Sequence, residues 1–437
     1  MRKFLCSLIL ITFAAGLHAQ ENTLTMDADF LTRGEIRSGG LTAGDDMVPD
    51  FAAFILERTL LGIQYDRAGL STRVNIQHSG TWGGAGGGGI NLHEAWVRLQ
   101  SQNGFFGQIG RQNLSYDDQR IFGVDDWAMT AKSHDALRLG YEGHGHKLHL
   151  IGSWNQNPVN INGGTFFSGG TQPYKALEAL WYHYDIPKTH LGFSVLFMNV
   201  GMQGGDENNP EKTRQQQLLG TYISFKPEKW SAEAAYYHQL GREEHGLPVN
   251  AWMASFKGAY TDTHGGAYLG YEWLSGDPQF SVPAQGQIGM QQHKVIRGFS
   301  SLYGSHHKFY GAMDFFYLTT YYGGFTPGLQ NAYVGGKWMP GKRFTIEGSY
   351  HFLATATKLR NAKMPLGHEL EMSASCKIYK DARISLGYTF MYGTETMELL
   401  KRTAGKRQLH WAWISFSVSP RIFTAQWPKK TEPAPAL

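Results

Sequence analysis

The sequence predicts an all-β chain, a transmembrane antiparallel β-barrel of about eighteen strands. Three observations predict it. Apolar and polar residues alternate with period two along one segment after another, as strands with one greasy and one wet face require. The composition is 14% aromatic with 54 glycines and no long apolar run, and the mean hydropathy is −0.35, which suits a barrel with aromatic girdles rather than a bundle of apolar helices. Short turns and long polar loops also alternate along the chain, the habit of barrels with short periplasmic turns and long external loops.

The first strand, 24–37, states the pattern most clearly. Leu24, Met26, Ala28, Phe30 and Ile36 share one face, and Asp27, Asp29, Arg33, Glu35 and Arg37 share the other. Burying five charges unpaired is costly, whereas a water-filled lumen solvates them. Strands follow at 51–64 and 70–79, then at 90–99 and 104–112 around the turn Gln102-Asn103-Gly104. The glycine-rich run 80–89 has no following lysine and opens no helix, which argues against a phosphate loop. Segment 136–142 places Leu137, Leu139 and Tyr141 opposite Arg138, Gly140 and Glu142. Further strands are expected at 146–155, 174–184, 190–200, 216–225, 230–240, 250–261 and 265–275, then at 328–339, 343–353, 367–378, 382–392 and 408–418. The apolar pieces 295–303 and 309–318 are either two more strands, making twenty, or a loop folded inward. No motif of 40 to 50 residues recurs, as a propeller would need.

Residues 1–19 read as a secretory signal, with Arg2 and Lys3 before an apolar core and Ala19 at the cut. Residues 20–423 form the barrel, and the Pro- and Lys-containing 424–437 form a disordered tail. Cys6 leaves with the signal. Cys376 then stands alone, with no internal disulfide and no thiolate metal cluster. Loss of the signal lowers the formal net charge from +4 to +2, which is no nucleic-acid footprint.

Between strands 104–112 and 136–142 lies a loop too long and too charged to be a mere connector. Its motifs are Gly110-Arg111-Gln112, Tyr116-Asp117-Asp118-Gln119-Arg120, Asp126-Trp127 and Asp135-Ala136-Leu137-Arg138. A second set runs from Leu302-Tyr303-Gly304-Ser305-His306-His307-Lys308-Phe309-Tyr310-Gly311 through Met313-Asp314 to Gly328-Leu329-Gln330. In these motifs the chain resembles the alginate export family of outer-membrane porins. The resemblance implies an eighteen-stranded monomeric barrel in a Gram-negative outer membrane. It also implies a passive, loop-constricted channel for an acidic polysaccharide, with no enzymatic role and no cofactor.

In a pore, wall charges and constriction set selectivity. The wet faces carry Arg33, Arg37, Arg73, Arg98, Arg138, Lys147, Lys257, Lys337, Arg343, Lys377 and Arg383, balanced by as many acids. That balance fits a lumen laced with arginine–carboxylate pairs. Candidate pore-lining residues are Arg33, Arg73, Arg98, Arg111, Arg120, Arg138, Lys337, Arg343 and Arg383, with Asp117 and Asp118. Arg111, Arg120 and Arg138 stand out because they lie in the motif-bearing segment, where guanidinium forks suit uronate carboxylates. Alternatively, Arg111 and Arg120 pair with Asp117, Asp118 or Asp126 and lock the loop in the pore. The partners expected are outer-membrane lipid and an anionic saccharide or small acidic solute. A diffusion porin without saccharide preference and a barrel lipid hydrolase are the alternatives. The hydrolase needs a Ser–His pair on the outer wall, and no motif nominates one. His144, His146 and His149 have metal-like spacing but fall at a turn. Trp154, Tyr184, Trp252, Trp273, Trp338, Tyr392 and Trp411 read as girdle residues.

Overall fold

Strand β1 (Asn22–Ser38) is where the sheet closes. It pairs with β2 (Ala52–Arg67) on one side and with the last strands on the other. The structure is a computed structural model that describes residues 22–38, 51–84, 88–156, 174–204, 212–277, 294–316, 326–401 and 407–427. The signal reading lies outside the described residues.

From β2 the antiparallel meander continues without a crossover. It runs through β3 (Leu70–Thr81), β4 (Gly89–Gln100), β5 (Phe105–Gln112), β6 (His134–Gly143), β7 (His146–Trp154) and β8 (Ala176–Ile186). Next come β9 (Leu191–Gln203), β10 (Thr213–Phe225), β11 (Trp230–Arg242), β12 (Pro248–Asp262) and β13 (Gly265–Leu274). The wall is completed by β14 (Leu329–Trp338), β15 (Phe344–Ala354), β16 (Pro365–Lys377), β17 (Ala382–Gly393), β18 (Gln408–Val418) and β19 (Arg421–Trp427).

β18 and β19 occupy one position in the wall. β18 pairs with Phe30–Ser38 and β19 with Asn22–Asp27 of the same β1. The break falls at Ser419-Pro420, because proline has no amide to continue the ladder, and the β1 register shifts opposite it, between Met26 and Asp27. The barrel therefore has eighteen strand positions, at the places the alternation predicts. The end of the chain differs from the reading. Residues 424–427, assigned to the tail, extend β19, and Trp427 stacks on Tyr65 at 6.1 Å. Residues 428–437 lie outside the described residues.

The outer face is apolar. Ile63 and Leu61 on β2, Val74 and Ile76 on β3, Leu137 and Leu139 on β6, and Ile414 and Phe416 on β18 are all exposed. Facing lipid satisfies these side chains, and closing the sheet leaves no unpaired edge in the membrane. Trp154, Trp338 and Tyr392 lie on this face. Trp411 does not: it is 2% exposed and turns inward, donating its indole N–H to Glu35. Odd positions of β18 face the lumen, so the girdle reading of Trp411 has the wrong parity.

Segment 295–316 adds no strands. Its described part is an inward loop with one short 3-10 turn at His306–Lys308, and Val249–Ile296 and Phe122–Tyr303 form isolated parallel bridges. The loop between β17 and β18 carries a helix the sequence reading missed, α1 (Glu395–Lys401). Its signal is Thr394, whose hydroxyl accepts the Met397 amide N–H, ahead of buried Met397 and Leu400.

Candidate functional site: two loops docked in the lumen

The two motif-bearing segments meet inside the barrel. Residues 113–133, between β5 and β6, cross the lumen, and residues 294–316, from the β13–β14 connection, run against them. The backbones touch: the Gly123 amide donates to Tyr303 at 3.0 Å, Tyr303 to Ile121 at 3.2 Å, and Ser305 to Gln119 at 2.9 Å. Such an approach needs glycine at Gly304, where a Cβ would strike the Arg120 carbonyl. The Ser305 hydroxyl donates to Gln119 Oε1 and accepts the Asp125 amide. Lys132 bridges both loops, reaching the Gly304 carbonyl at 2.6 Å and Asp125 at 3.1 Å. Asp117, Gln119 and Asp125 in the first loop, and Leu302, Tyr310 and Asp314 in the second, all have positive φ. Left-handed backbone is unfavourable for such residues and persists only where its surroundings enforce it.

Arg120 is the keystone. Its guanidinium is buried, donates to Glu272 of β13 at 3.0 Å, to Asp118 at 3.0 Å and to the Tyr310 hydroxyl at 2.8 Å, and lies 3.9 Å over the Phe309 ring. Asn331 of β14 completes the shell by donating to Glu272 at 2.8 Å. Every face of the cation is thus occupied, by charge, hydroxyl or π-cloud. The far end of the first loop is held by β1 and β2. Arg33 lies 3.9 Å over the Trp127 ring and donates to its carbonyl, and Arg58 donates to the carbonyls of Asp126 and Ala128. Trp127 stacks on His307 at 4.3 Å and meets Trp411 and Trp413 edge-on.

On β1 to β4 the lumen-facing arginines are neutralised by carboxylates. Arg33 and Arg37 share Glu35, and Arg58 meets Asp29. Arg73 is forked between Asp27 and Glu94, and Arg98 reaches Glu142. Arg111 makes a two-point pair with Asp135 at 2.8 and 2.7 Å, rather than with Asp117, Asp118 or Asp126. Both share the outer face with exposed Ile109 and Leu137, so Arg111 does not line the lumen as expected. On β6, Arg138 donates to Gln108. Of the candidate pore residues, Arg33, Arg73, Arg98, Arg111 and Arg120 are therefore tied up in ion pairs.

The other wall is different. A cavity of about 450 Å³ opens beside the docked loops, lined by Asp117, Asp118, Lys257, Lys308 and the tyrosines Tyr222, Tyr268 and Tyr333. Lys257 makes no described ion pair and lies 4.7 Å over the Tyr268 ring. Lys308 donates to the Asp118 carbonyl and points into the same space. At the short-turn mouth, a second cavity of about 500 Å³ gathers His264, Lys337, Lys342, Arg343, Lys377 and Arg383. Only Lys337 has a described carboxylate partner, Glu347 at 2.9 Å, while Arg383 donates to Ser375. Lys257 and Lys308 were absent from the candidate pore residues. Nothing in one sequence says which wet-face cation will find a carboxylate across the barrel.

Asp117 anchors the loop to β8 and β9. It accepts the Ser194 hydroxyl at 2.5 Å and the Trp181 indole N–H at 3.2 Å. His183 lies 2.8 Å from Ser194 Oγ and 3.0 Å from Asp185. A carboxylate only accepts, so Ser194 donates to Asp117 and its oxygen accepts a hydrogen bond from His183 Nδ1–H. Burial pushes the Asp117 carboxyl up to about 6, against the pull of Ser194 and Trp181. The three spaced histidines do not converge: His146 stacks on Tyr184, His149 joins Tyr116 to Glu142, and His144 sits in the turn with positive φ.

The family described as alginate export matches residues 89–362, which include both lumen loops. No curated protein matches the chain. Among solved structures, Pseudomonas aeruginosa OccK2 (OpdF) aligns with a TM-score of 0.61 at 11% identity, over 92% of this chain and 98% of that one. A BenF-like porin from Pseudomonas fluorescens Pf-5 aligns at 0.59 and 10%, over 91% and 99%. P. aeruginosa OccK9 (OpdG) aligns at 0.58 and 11%, over 92% and 98%. At that identity the likeness concerns the barrel alone. With the matched segment containing the two loops that constrict the lumen, this chain belongs to the alginate export family, as an outer-membrane channel of the Gram-negative type.

Proposed function

We propose that the channel passes anionic solutes, acidic saccharides among them, along the wall of β12 to β17. One observation carries the reading: among the described residues, cations without a carboxylate partner are concentrated on that side. Lys257 and Lys308 line the cavity beside the loops, and Arg343, Lys377 and Arg383 line the mouth. Opposite them, the lumen-facing arginines of β1 to β4 are held by carboxylates. A neutralised pair exerts little field on a passing ion, whereas unpaired ammonium and guanidinium groups attract carboxylates. Tyr268 and Tyr333 beside Lys257 add rings and hydroxyls suited to a sugar. The chain acts as a monomer and moves solute passively.

The Ser194–His183–Asp185 group supports anchoring rather than hydrolysis. Ser194 is fully buried and spends its proton on Asp117, so its oxygen is neither exposed nor activated.

Planar-bilayer recordings across a salt gradient test the proposal. The wild type is expected to show an anion-selective reversal potential. Lys257→Glu with Lys308→Glu should move it toward cations, while Arg73→Gln with Glu94→Gln, which removes an opposite pair together, should leave the sign unchanged. A cation-selective wild type, or a double variant with an unshifted potential, overturns it.

A further inference from the structure

We propose that the outer wall carries a binding site for the phosphate headgroup of an outer-leaflet glycolipid, built around Arg297. A cleft of about 320 Å³ opens on the lipid-facing side of β12 and β13, at the long-loop rim. Asn250, Trp252, Trp273, Ser275, Arg297 and Thr357 line it. This is the end opposite the short turns, and so the end that faces the cell exterior.

The site is built rather than incidental. The Arg297 backbone is fixed on three sides. Its carbonyl accepts the Ser275 hydroxyl at 2.7 Å, its amide donates to Asp277 at 3.0 Å, and its neighbour Ile296 exchanges hydrogen bonds with Pro248 and Asn250. Among the described residues, nothing pairs with the guanidinium. Asp277, close in space, is buried and accepts the backbone amides of Arg297 and Thr326. Lys358, next to Thr357, adds an exposed positive charge.

Beneath the arginine lie Trp252 and Trp273, with ring centroids 5.9 Å apart. Exposed Phe256, Leu269 and Tyr271 continue the same face toward the membrane centre. Indoles belong at the boundary between headgroup and acyl chain. An unpaired guanidinium just above them meets an anionic headgroup with two-point hydrogen bonds, and the acyl chains run down the apolar stripe. The cleft faces lipid and not the lumen, so a solute in transit does not reach it.

Native mass spectrometry of the detergent-folded full chain tests the site, with phosphorylated lipid A and dephosphorylated lipid A as probes. Wild type should hold the phosphorylated form roughly tenfold more tightly, the worth of one charge-assisted contact. Arg297→Gln should abolish that preference and Arg297→Lys should keep part of it. Trp252→Ala should weaken both forms. Heat-modifiable gel mobility checks that each variant is folded. A wild type that binds both lipids equally, or an Arg297→Gln variant that keeps the full preference, overturns the proposal.

Discussion

Asp117 links the chemistry of one side chain to the behaviour of the pore. Its carboxyl faces the lumen cavity and titrates near 6 because burial disfavours the charge. The folded value lies above the ordinary 3.8. The docked loop therefore binds this proton more tightly than the undocked chain, gains stability as pH falls through about 6, and loses it as pH rises. Protonation also removes a negative charge from the cavity. Anion selectivity should increase between pH 7 and pH 5, and Asp117→Asn should flatten that step in reversal-potential measurements. Arg120 poses the opposite problem. Removing it leaves Glu272 buried without its counter-charge, a loss of about 3–5 kcal/mol. Arg120→Ala should expose the first loop to limited proteolysis. Arg120→Met combined with Glu272→Leu should recover part of the protection, because the deeply buried carboxylate leaves with its partner, while Asp118 loses its ion pair but keeps the residue-120 backbone amide.

At the scale of elements, the two loops behave as one plug. Neither adds a strand to the wall, although Ile296 of the second bridges Val249 of β12. They are joined through backbone hydrogen bonds at Gly123, Tyr303 and Ser305 and by the close approach at Gly304. Gly304→Val would drive a side chain into the Arg120 carbonyl and separate them. Single-channel conductance should rise and become noisier, with the barrel still folded by gel mobility. Deleting residues 114–132 should raise it further. An unchanged current in both variants would mean that the loops do not constrict the path. The same close contact explains why the loop motifs stand out in sequence. Each residue of Gly304-Ser305-His306-His307-Lys308 that touches the first loop has a specific partner, such as Gln119 for Ser305 and Trp127 for His307.

Among the described residues, cations without an ion pair gather on one wall of the molecule, and on the proposed function this makes the selectivity sensitive to salt. Screening shortens from roughly 10 Å at 0.1 M to roughly 3 Å at 1 M. The free cations of β12 to β17 should then lose their reach across the lumen. The permeability ratio of chloride to potassium should decline toward unity over that range, while the conductance rises. A ratio that holds constant would locate selectivity in direct contact at the loops instead of in the field of the wall.

The strands were written in the chain, while their count stood between eighteen and twenty until segment 295–316 proved to fold inward. Each needs only a period-two alternation, and lipid outside with water inside enforces it locally: Phe30 and Ile36 face outward and Arg33 and Glu35 inward from the residue pattern alone. The constricting segment also showed itself, through its length and charge. The partners did not. Arg111 goes to Asp135 rather than to an acid of the loop, and Arg120 finds Glu272 some 152 residues away. Trp411 turns inward against Trp127, and the chain beyond Pro420 rejoins β1 as β19. These outcomes depend on which side chains the closed cylinder brings face to face. Curvature and register around the whole barrel fix that distance, and no stretch of sequence contains it. The alternation made the wall, and only closure decided which of its charges were left free.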